Sequence, residues 1–179
     1  MKGIVFTEFL EMVEDKCGLE VVQQVIDNSN LKTKGVYTSV GSYDHGEMVQ
    51  LVVSLSEIID TPVVDLLEVY GEHFFDVLSS SYPQFMNKKD LFGFLDSIDN
   101  YIHPEVLKIY PNAELPKFES EIINESKMLL HYSSSRKMAH FGIGLIKGAG
   151  SYYKQKLEVK KENESNGGEN VTISISKVG

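Results

Sequence analysis

The chain has 179 residues, enough for one domain at roughly 100–200 residues per domain, and is 42% hydrophobic and 24% charged. That composition excludes a disordered, collagen-like or coiled-coil chain. Seventeen Lys and Arg against 26 Asp and Glu leave a formal charge of −9, which repels phosphate backbones and anionic bilayers and argues against nucleic-acid or membrane partners.

The first two-thirds of the chain read as helices. Val5, Phe9, Met12 and Val13 share one helical face, with glutamates on the other. Glu8, Glu11, Glu14 and Asp15 interrupt the apolar start, so no leader peptide is expected. No run reaches the ~20 apolar residues of a membrane helix. The lone cysteine, Cys17, can form no internal disulfide, which agrees with a reducing cytoplasm. A second apolar face is Met48, Leu51, Val52, Leu55, Ile58 and Ile59. Thr61-Pro62 resembles an N-cap followed by proline at the first helical position. The helix it opens carries Val63, Leu67, Tyr70, Phe74 and Leu78, with Gly71 inside the stripe at a cost of about 1 kcal/mol relative to alanine. A further helix is predicted from Asp90 to Tyr110, with Leu91, Leu95, Ile98, Ile102 and Ile109 on its main apolar face.

After Pro111 the period changes to two. Residues 117–123 and 127–135 alternate as strands, with Met128, Leu130 and Tyr132 on one side. A helix with Met138, Phe141, Leu145, Ala149 and Tyr152 on one stripe comes next. Leu157 and Val159, then Val171, Ile173 and Ile175, mark two more strands, and Lys160 to Asn170 reads as the polar loop between them. The expected class is α+β: a helical lobe, then a small, about four-stranded antiparallel sheet with one helix inserted. Residues 1–179 are expected to form a single domain.

Chemistry concentrates at one histidine. His45 and His73 read as helix-surface or loop residues, His131 lies on the strand face opposite Tyr132, and His140 neighbours Phe141 without a clear role. His103 instead falls beside Phe92, Val106, Leu107 and Tyr110 on an apolar flank. An imidazole there must be hydrogen-bonded, neutral or coordinated to a metal. Pro104 follows it and suggests a kink or restart of the helix. With no second histidine, cysteine or carboxylate at ligand spacing, His103 makes a poor zinc site. It suits a haem, which supplies four ligands of its own. A haem also brings two carboxylates. In an extended stretch Tyr132, Ser134 and Arg136 would present two hydroxyls and a guanidinium from one face. By spacing alone a polar strand end is the commoner reading; beside His103 the pattern gains meaning.

With these residues in view, the chain resembles the haem nitric oxide/oxygen binding (H-NOX) family, of the stand-alone bacterial type and related to the haem domain of soluble guanylate cyclase. The resemblance covers essentially the whole chain through Met1-Lys2-Gly3, Cys17-Gly18, Ile102-His103, Leu115-Pro116, Tyr132-x-Ser134-x-Arg136 and Gly144-Leu145-Ile146-x-Gly148. It implies haem b, one per chain, between the lobes, with His103 as the iron ligand. It further implies that Tyr132, Ser134 and Arg136 hold the propionates and that Pro116 presses on the porphyrin. Val5, Phe9, Phe74 and Phe141 would line the distal side, where gas binds. Gly71 and Gly142 would then let helices approach a flat macrocycle. The cysteine-rich zinc site of some bacterial members has no counterpart, since Ala139 and the loop from Lys160 to Asn170 offer no thiol.

The expected function is a gas sensor without enzymatic activity. It would bind nitric oxide and carbon monoxide at ferrous haem, exclude dioxygen, and regulate a histidine kinase or a cyclic-di-GMP enzyme in trans. No Gly-x-Ser-x-Gly elbow, P-loop or His-Glu-x-x-His motif is present. The alternatives are a peroxidase-type haem enzyme, which would need polar distal groups such as His73 or His140, and a haem-free helical adaptor.

Overall fold

The computed structural model describes residues 1–179. It contains seven α-helices and four β-strands and divides into two compact units, Met1–Tyr70 and Gly71–Gly179.

The first unit is helical. Helix α1 (Ile4–Cys17) ends where Gly18 takes a φ of 89°, a conformation that favours glycine. Its buried face is Phe9, Met12 and Val13 as periodicity predicts, joined by Phe6, while Val5 is half-buried. Helix α2 (Leu19–Asp27), which the apolar pattern does not announce, buries only Val22 and Val25. Helix α3 (His45–Ile59) buries Met48, Leu51, Val52 and Leu55, and the Asp44 side chain caps it by accepting from the Gly46 N–H at 2.8 Å.

Residues 28–44 connect α2 to α3 without a helix or a strand. Glu47, in the first turn of α3 and only 4% exposed, fastens this loop by accepting from the Thr33 hydroxyl at 2.5 Å and the Tyr37 hydroxyl at 2.7 Å. Phe6 stacks on Tyr37 with centroids 4.5 Å apart, and Tyr43 meets Tyr37 edge-on at 4.9 Å.

Helix α4 (Val63–Ser81) starts one residue later than the Thr61-Pro62 reading places it. The Pro62 carbonyl accepts the first helical bonds, from Asp65 and Leu66, and the Thr61 hydroxyl turns back to the Ile59 carbonyl at 3.3 Å instead of capping. Tyr70 is fully buried and donates its hydroxyl to the Val5 carbonyl at 2.5 Å.

The second unit holds an antiparallel sheet in the order β1-β2-β4-β3, built from β1 (Lys117–Asn124), β2 (Lys127–Ser133), β3 (Leu157–Ser165) and β4 (Asn170–Lys177). Alternation puts Met128, Leu130, Tyr132, Val171, Ile173 and Ile175 on one face, all buried. They share a core with Leu91, Phe92, Ile143 and Ile146. Strand β3 runs through the segment predicted as a loop, and only Asn166–Gly168 and Glu169 turn the chain. Its charges misled the pattern because β3 is an edge strand: it pairs with β4 on one side, and beyond Leu157 and Val159, which pack on the core, its side chains are in solvent, with Lys160 on Glu158 and Lys161 on Glu164 at 2.7 Å each.

The helix predicted from Asp90 to Tyr110 is continuous but not uniform. Helix α5 (Leu91–Ser97) passes through a π-helical turn, Ile98–Ile102, into α6 (His103–Ile109). Leu91 and Leu95 are buried and Ile98 and Ile102 pack on the core, whereas Ile109 is exposed. The expected restart is seen: α6 opens at His103 with Pro104 in its first turn, after the π-helical turn, while the φ and ψ of His103 itself, −59° and −44°, are regular. The missing N–H is absorbed upstream: His103 bonds the Ile98 carbonyl five residues back, the widened turn that accommodates an irregular register.

Helix α7 (Ala139–Tyr152) buries Ala139, Ile143, Ile146 and Ala149, so the predicted stripe is rotated. Phe141 and Leu145 are half-buried and Tyr152 is exposed.

Candidate functional site

His103 opens α6 with its side chain 15% exposed, and its Nδ1 lies 3.0 Å from Oδ1 of Asp99, one helical turn before it. Burial lowers the pKa of this imidazole, and the Asp99 carboxylate only partly opposes the shift. Burial therefore favours the neutral ring. A carboxylate can only accept, so Nδ1 carries the proton and Nε2 keeps its lone pair for a ligand. A carboxylate on the second nitrogen is the arrangement that fixes a metal-binding histidine and raises its basicity. Asp99 is thus a carboxylate at helical spacing that serves the imidazole, not a metal ligand in its own right.

The Phe118 ring of β1 lies between two of the residues singled out by sequence. Its centroid is 5.9 Å from that of His103 and 5.6 Å from that of Tyr132, its cross-strand partner. Pro116 is half-buried in the irregular segment just before β1.

Tyr132, Ser134 and Arg136 do not form one extended strand, because β2 ends at Ser133 and residues 134–137 turn, with Lys137 at a φ of 56°. Burial still alternates: Tyr132 is buried and Ser134 and Arg136 are half-buried, while Ser133, Ser135 and Lys137 are exposed. The Tyr132 hydroxyl accepts the Met138 N–H at 3.0 Å and the Ser134 hydroxyl accepts the Arg136 N–H at 3.2 Å. Each keeps its own proton to donate. The Arg136 guanidinium holds Glu114, giving Nη1–H to its carbonyl and Nη2–H to its carboxylate, each at 2.6 Å. The Arg136 side chain is 18% exposed and that of Glu114 is 85% exposed. Glu114 is an acidic partner that spacing does not reveal.

On α7, the Phe141 ring lies 5.6 Å from that of Phe74. It is Phe141, and not its neighbour His140, for which the ring contact with Phe74 is seen. Gly71 lets α4 and α7 approach closely: a Cβ there would meet the Phe141 carbonyl at 2.3 Å and Gly144 Cα at 2.8 Å. A Cβ on Gly142 would meet nothing within 4 Å, although the residue is buried. In the first unit, Phe9 is wholly buried with its ring edge-on to Tyr70 at 5.2 Å, and Val5 takes the Tyr70 hydroxyl on its carbonyl.

The discounted histidines differ in place from expectation. His45 and His73 are half-buried, and Nε2 of His73 is buried without a hydrogen-bond partner. His131 does lie on the sheet face away from the core, bonded to the Thr172 hydroxyl at 3.1 Å.

The residues of the second unit fit a haem. One neutral imidazole has Nε2 available, two hydroxyls have protons to give, and a guanidinium is already bound to a carboxylate. No group of three His, Cys, Asp or Glu side chains could hold a bare metal ion. That is the donor set for a cofactor with four metal-binding nitrogens and two carboxylates of its own.

The chain belongs to the haem-NO-binding (H-NOX) family, whose model matches residues 2–161. Domains of this family are sensors rather than enzymes. The structure is similar to the Fe(II) unliganded H-NOX protein from K. algicida, with a TM-score of 0.94 and 46% identity over 100% of this chain and 97% of that one. It is also similar to the S. oneidensis H-NOX protein in the Fe(II)NO ligation state (TM-score 0.91, 26% identity, 100% of both chains). The IWP-051-bound H-NOX from Shewanella woodyi in the Fe(II)CO state gives a TM-score of 0.83 and 39% identity over 99% of this chain and 95% of that one. Soluble guanylate cyclase gcy-35 of Caenorhabditis elegans is 25% identical over 141 residues, 76% of this chain, which spans about a fifth (20%) of that protein's length. No helix is long and apolar enough to cross a membrane.

Proposed function

We propose that this protein is a bacterial, cytoplasmic nitric oxide sensor in which residues 1–179 act as one domain and hold one haem b. His103 is the iron ligand in this reading, Tyr132, Ser134 and Arg136 hold the propionates, and Pro116 lies against the porphyrin. The observation that carries it is the Asp99–His103 pair, which presents a neutral imidazole with Nε2 open. Ferrous haem, when bound, supplies the iron site at which a diatomic gas is taken.

The chain's own residues set the choice of gas. Dioxygen needs a distal hydrogen-bond donor, because the polarised ligand is stabilised by one, and nitric oxide and carbon monoxide do not. Phe9, Phe74 and Phe141 carry no donor. The buried Tyr70 hydroxyl is committed to the Val5 carbonyl. The proposed protein therefore takes nitric oxide and carbon monoxide and excludes dioxygen. The H-NOX relatives in Fe(II)NO and Fe(II)CO states support the first two. The proposed cofactor set contains no zinc, since the one cysteine, Cys17, is exposed and alone.

The output is a change of affinity or activity in a separate protein, a histidine kinase or a cyclic-di-GMP enzyme. A signal of this kind requires two states of the sensor that the partner tells apart. The test is direct. Purified protein should show a Soret band, respond to nitric oxide, and change the activity of a co-encoded kinase or cyclic-di-GMP enzyme. A colourless protein after haem supplementation would leave the helical adaptor standing, and a partner indifferent to haem and gas would remove the signalling role.

A further inference from the structure

Asp99 makes a second contact that an imidazole anchor does not need. The same Oδ1 that takes Nδ1–H of His103 at 3.0 Å also faces the N–H of Phe118 at 3.4 Å, on edge strand β1. One turn earlier, Asp96 accepts the Ser120 hydroxyl, two residues further along the same strand. Asp96, Asp99 and His103 are spaced at i, i+3 and i+7, so one stripe of the helix carries both acidic residues and the imidazole. The π-helical turn Ile98–Ile102 interrupts the regular ladder between these residues, and such turns are local irregularities found frequently at functional sites. Phe118 then continues the link, since its ring contacts His103 on one side and Tyr132 on the other. β1 is bonded to the sheet along β2 alone, so its outer edge has no strand to resist a pull from the helix.

We propose that Asp99 is a positioning residue that both orients His103 and ties it to β1 through the Phe118 N–H, so that a displacement of His103 is passed to the edge of the sheet. This rests on the reading of His103 as the iron ligand. Asp99 and Phe118 form one linkage in which the carboxylate oxygen is shared. When His103 moves, Asp99 must either follow it and leave Phe118, or stay with Phe118 and leave the imidazole. The edge strand β1 is consequently the first element outside the helix to register the change.

The experiment uses the haem-loaded ferrous protein and two readouts other than activity: the iron–histidine stretching frequency, and amide hydrogen exchange at Phe118. Asp99→Ala should lower the stretching frequency, because the imidazole loses the carboxylate that strengthens it as a donor. It should also speed exchange at Phe118 by about tenfold, the change expected when one net hydrogen bond is lost. Asp99→Asn should lower the frequency but leave Phe118 exchange near the parent value, since an amide oxygen still accepts. Unchanged frequency and unchanged exchange in Asp99→Ala would overturn the proposal. If His103→Gly keeps its haem without added imidazole, the iron-ligand reading itself fails. If His103→Gly loses haem while Asp99→Ala matches the parent, only the positioning role fails.

Discussion

The carbonyl oxygen of Phe141 occupies the space that a side chain on Gly71 would need, at 2.3 Å from an ideal Cβ. Gly144 Cα and the Leu145 nitrogen follow at 2.8 Å, so the obstacle is helix backbone, which cannot rotate aside. One turn on, a Cβ at Gly148 would meet Phe75 at 2.7 Å. Helices α4 and α7 are held at this separation by glycine, and the place of the Phe141 ring beside Phe74 depends on it. Gly71→Ala should therefore destabilise the protein by about 2–3 kcal/mol through overpacking, although alanine favours the helix by about 1 kcal/mol. Chemical denaturation checks this; a more stable variant would show that α7 yields easily.

His103→Gly should give protein that releases haem, or keeps it only when imidazole is supplied to the space left by the side chain. The reason is that the His103 imidazole is oriented by the Asp99 carboxylate at 3.0 Å, whereas His131 bonds the Thr172 hydroxyl on the sheet face away from the core. Absorption spectra of the ferrous protein, with and without imidazole, decide the matter.

Arg136 and Glu114 make opposite predictions. Arg136→Ala leaves a partly buried carboxylate of the cofactor without its charged partner, a loss on the order of 2–5 kcal/mol, and should speed haem dissociation accordingly. Glu114 already engages the same guanidinium with a side chain that is 85% exposed. Removing that competitor in Glu114→Ala should slow haem loss by a few-fold at most, because exposed ion pairs contribute only about 0.2–1 kcal/mol. Dissociation rates measured by transfer to an apoglobin compare the three proteins. Equal rates for the parent and Arg136→Ala would place the guanidinium outside the site.

Phe141→Tyr should begin to confer dioxygen affinity on a ferrous protein that otherwise shows none in air. The half-buried ring lies 5.6 Å from that of Phe74, so a phenol there would add a donor to an otherwise apolar pair. Anaerobic reduction followed by admission of air, monitored by absorption, separates the two proteins. A parent protein that retains dioxygen would mean that some donor other than position 141 serves the gas.

Much of this was legible in the sequence because burial leaves a period. Most of the faces of α1 and α3, and the alternation of Met128, Leu130 and Tyr132, follow from apolar spacing and are buried, with Val5, Ile58 and Ile59 only half-buried. Helix α2 escaped because nine residues with two buried valines make too little pattern. The second half of β3 escaped because an edge strand can be polar from Lys160 to Ser165. The apolar stripe of α7 came out rotated since glycines at 142, 144, 148 and 150 contribute to the buried face without hydrophobicity. His103 and the Tyr132-x-Ser134-x-Arg136 spacing were visible as residue types, but their partners were not. Phe118 reaches Tyr132 through strand register, and Glu114 reaches Arg136 across a turn-rich segment. Asp99 stood at a readable spacing from His103. It is missed when carboxylates are sought only as metal ligands.

The loop at residues 28–44 would ordinarily be the place where a protease enters, being long and free of helix and strand. Lys32 and Lys34 flank Thr33, whose hydroxyl is fastened to the buried Glu47, and Tyr37 is fastened to the same oxygen. Cleavage needs the backbone around a lysine to unfold locally into an extended strand, which here means breaking both hydroxyl contacts and the stack of Phe6 on Tyr37 together. Trypsin sensitivity of this loop is thus governed by one carboxylate. Glu47→Ala should turn a resistant connection into an early nick, while cutting at the solvent-facing lysines of β3 stays as slow as sheet pairing makes it.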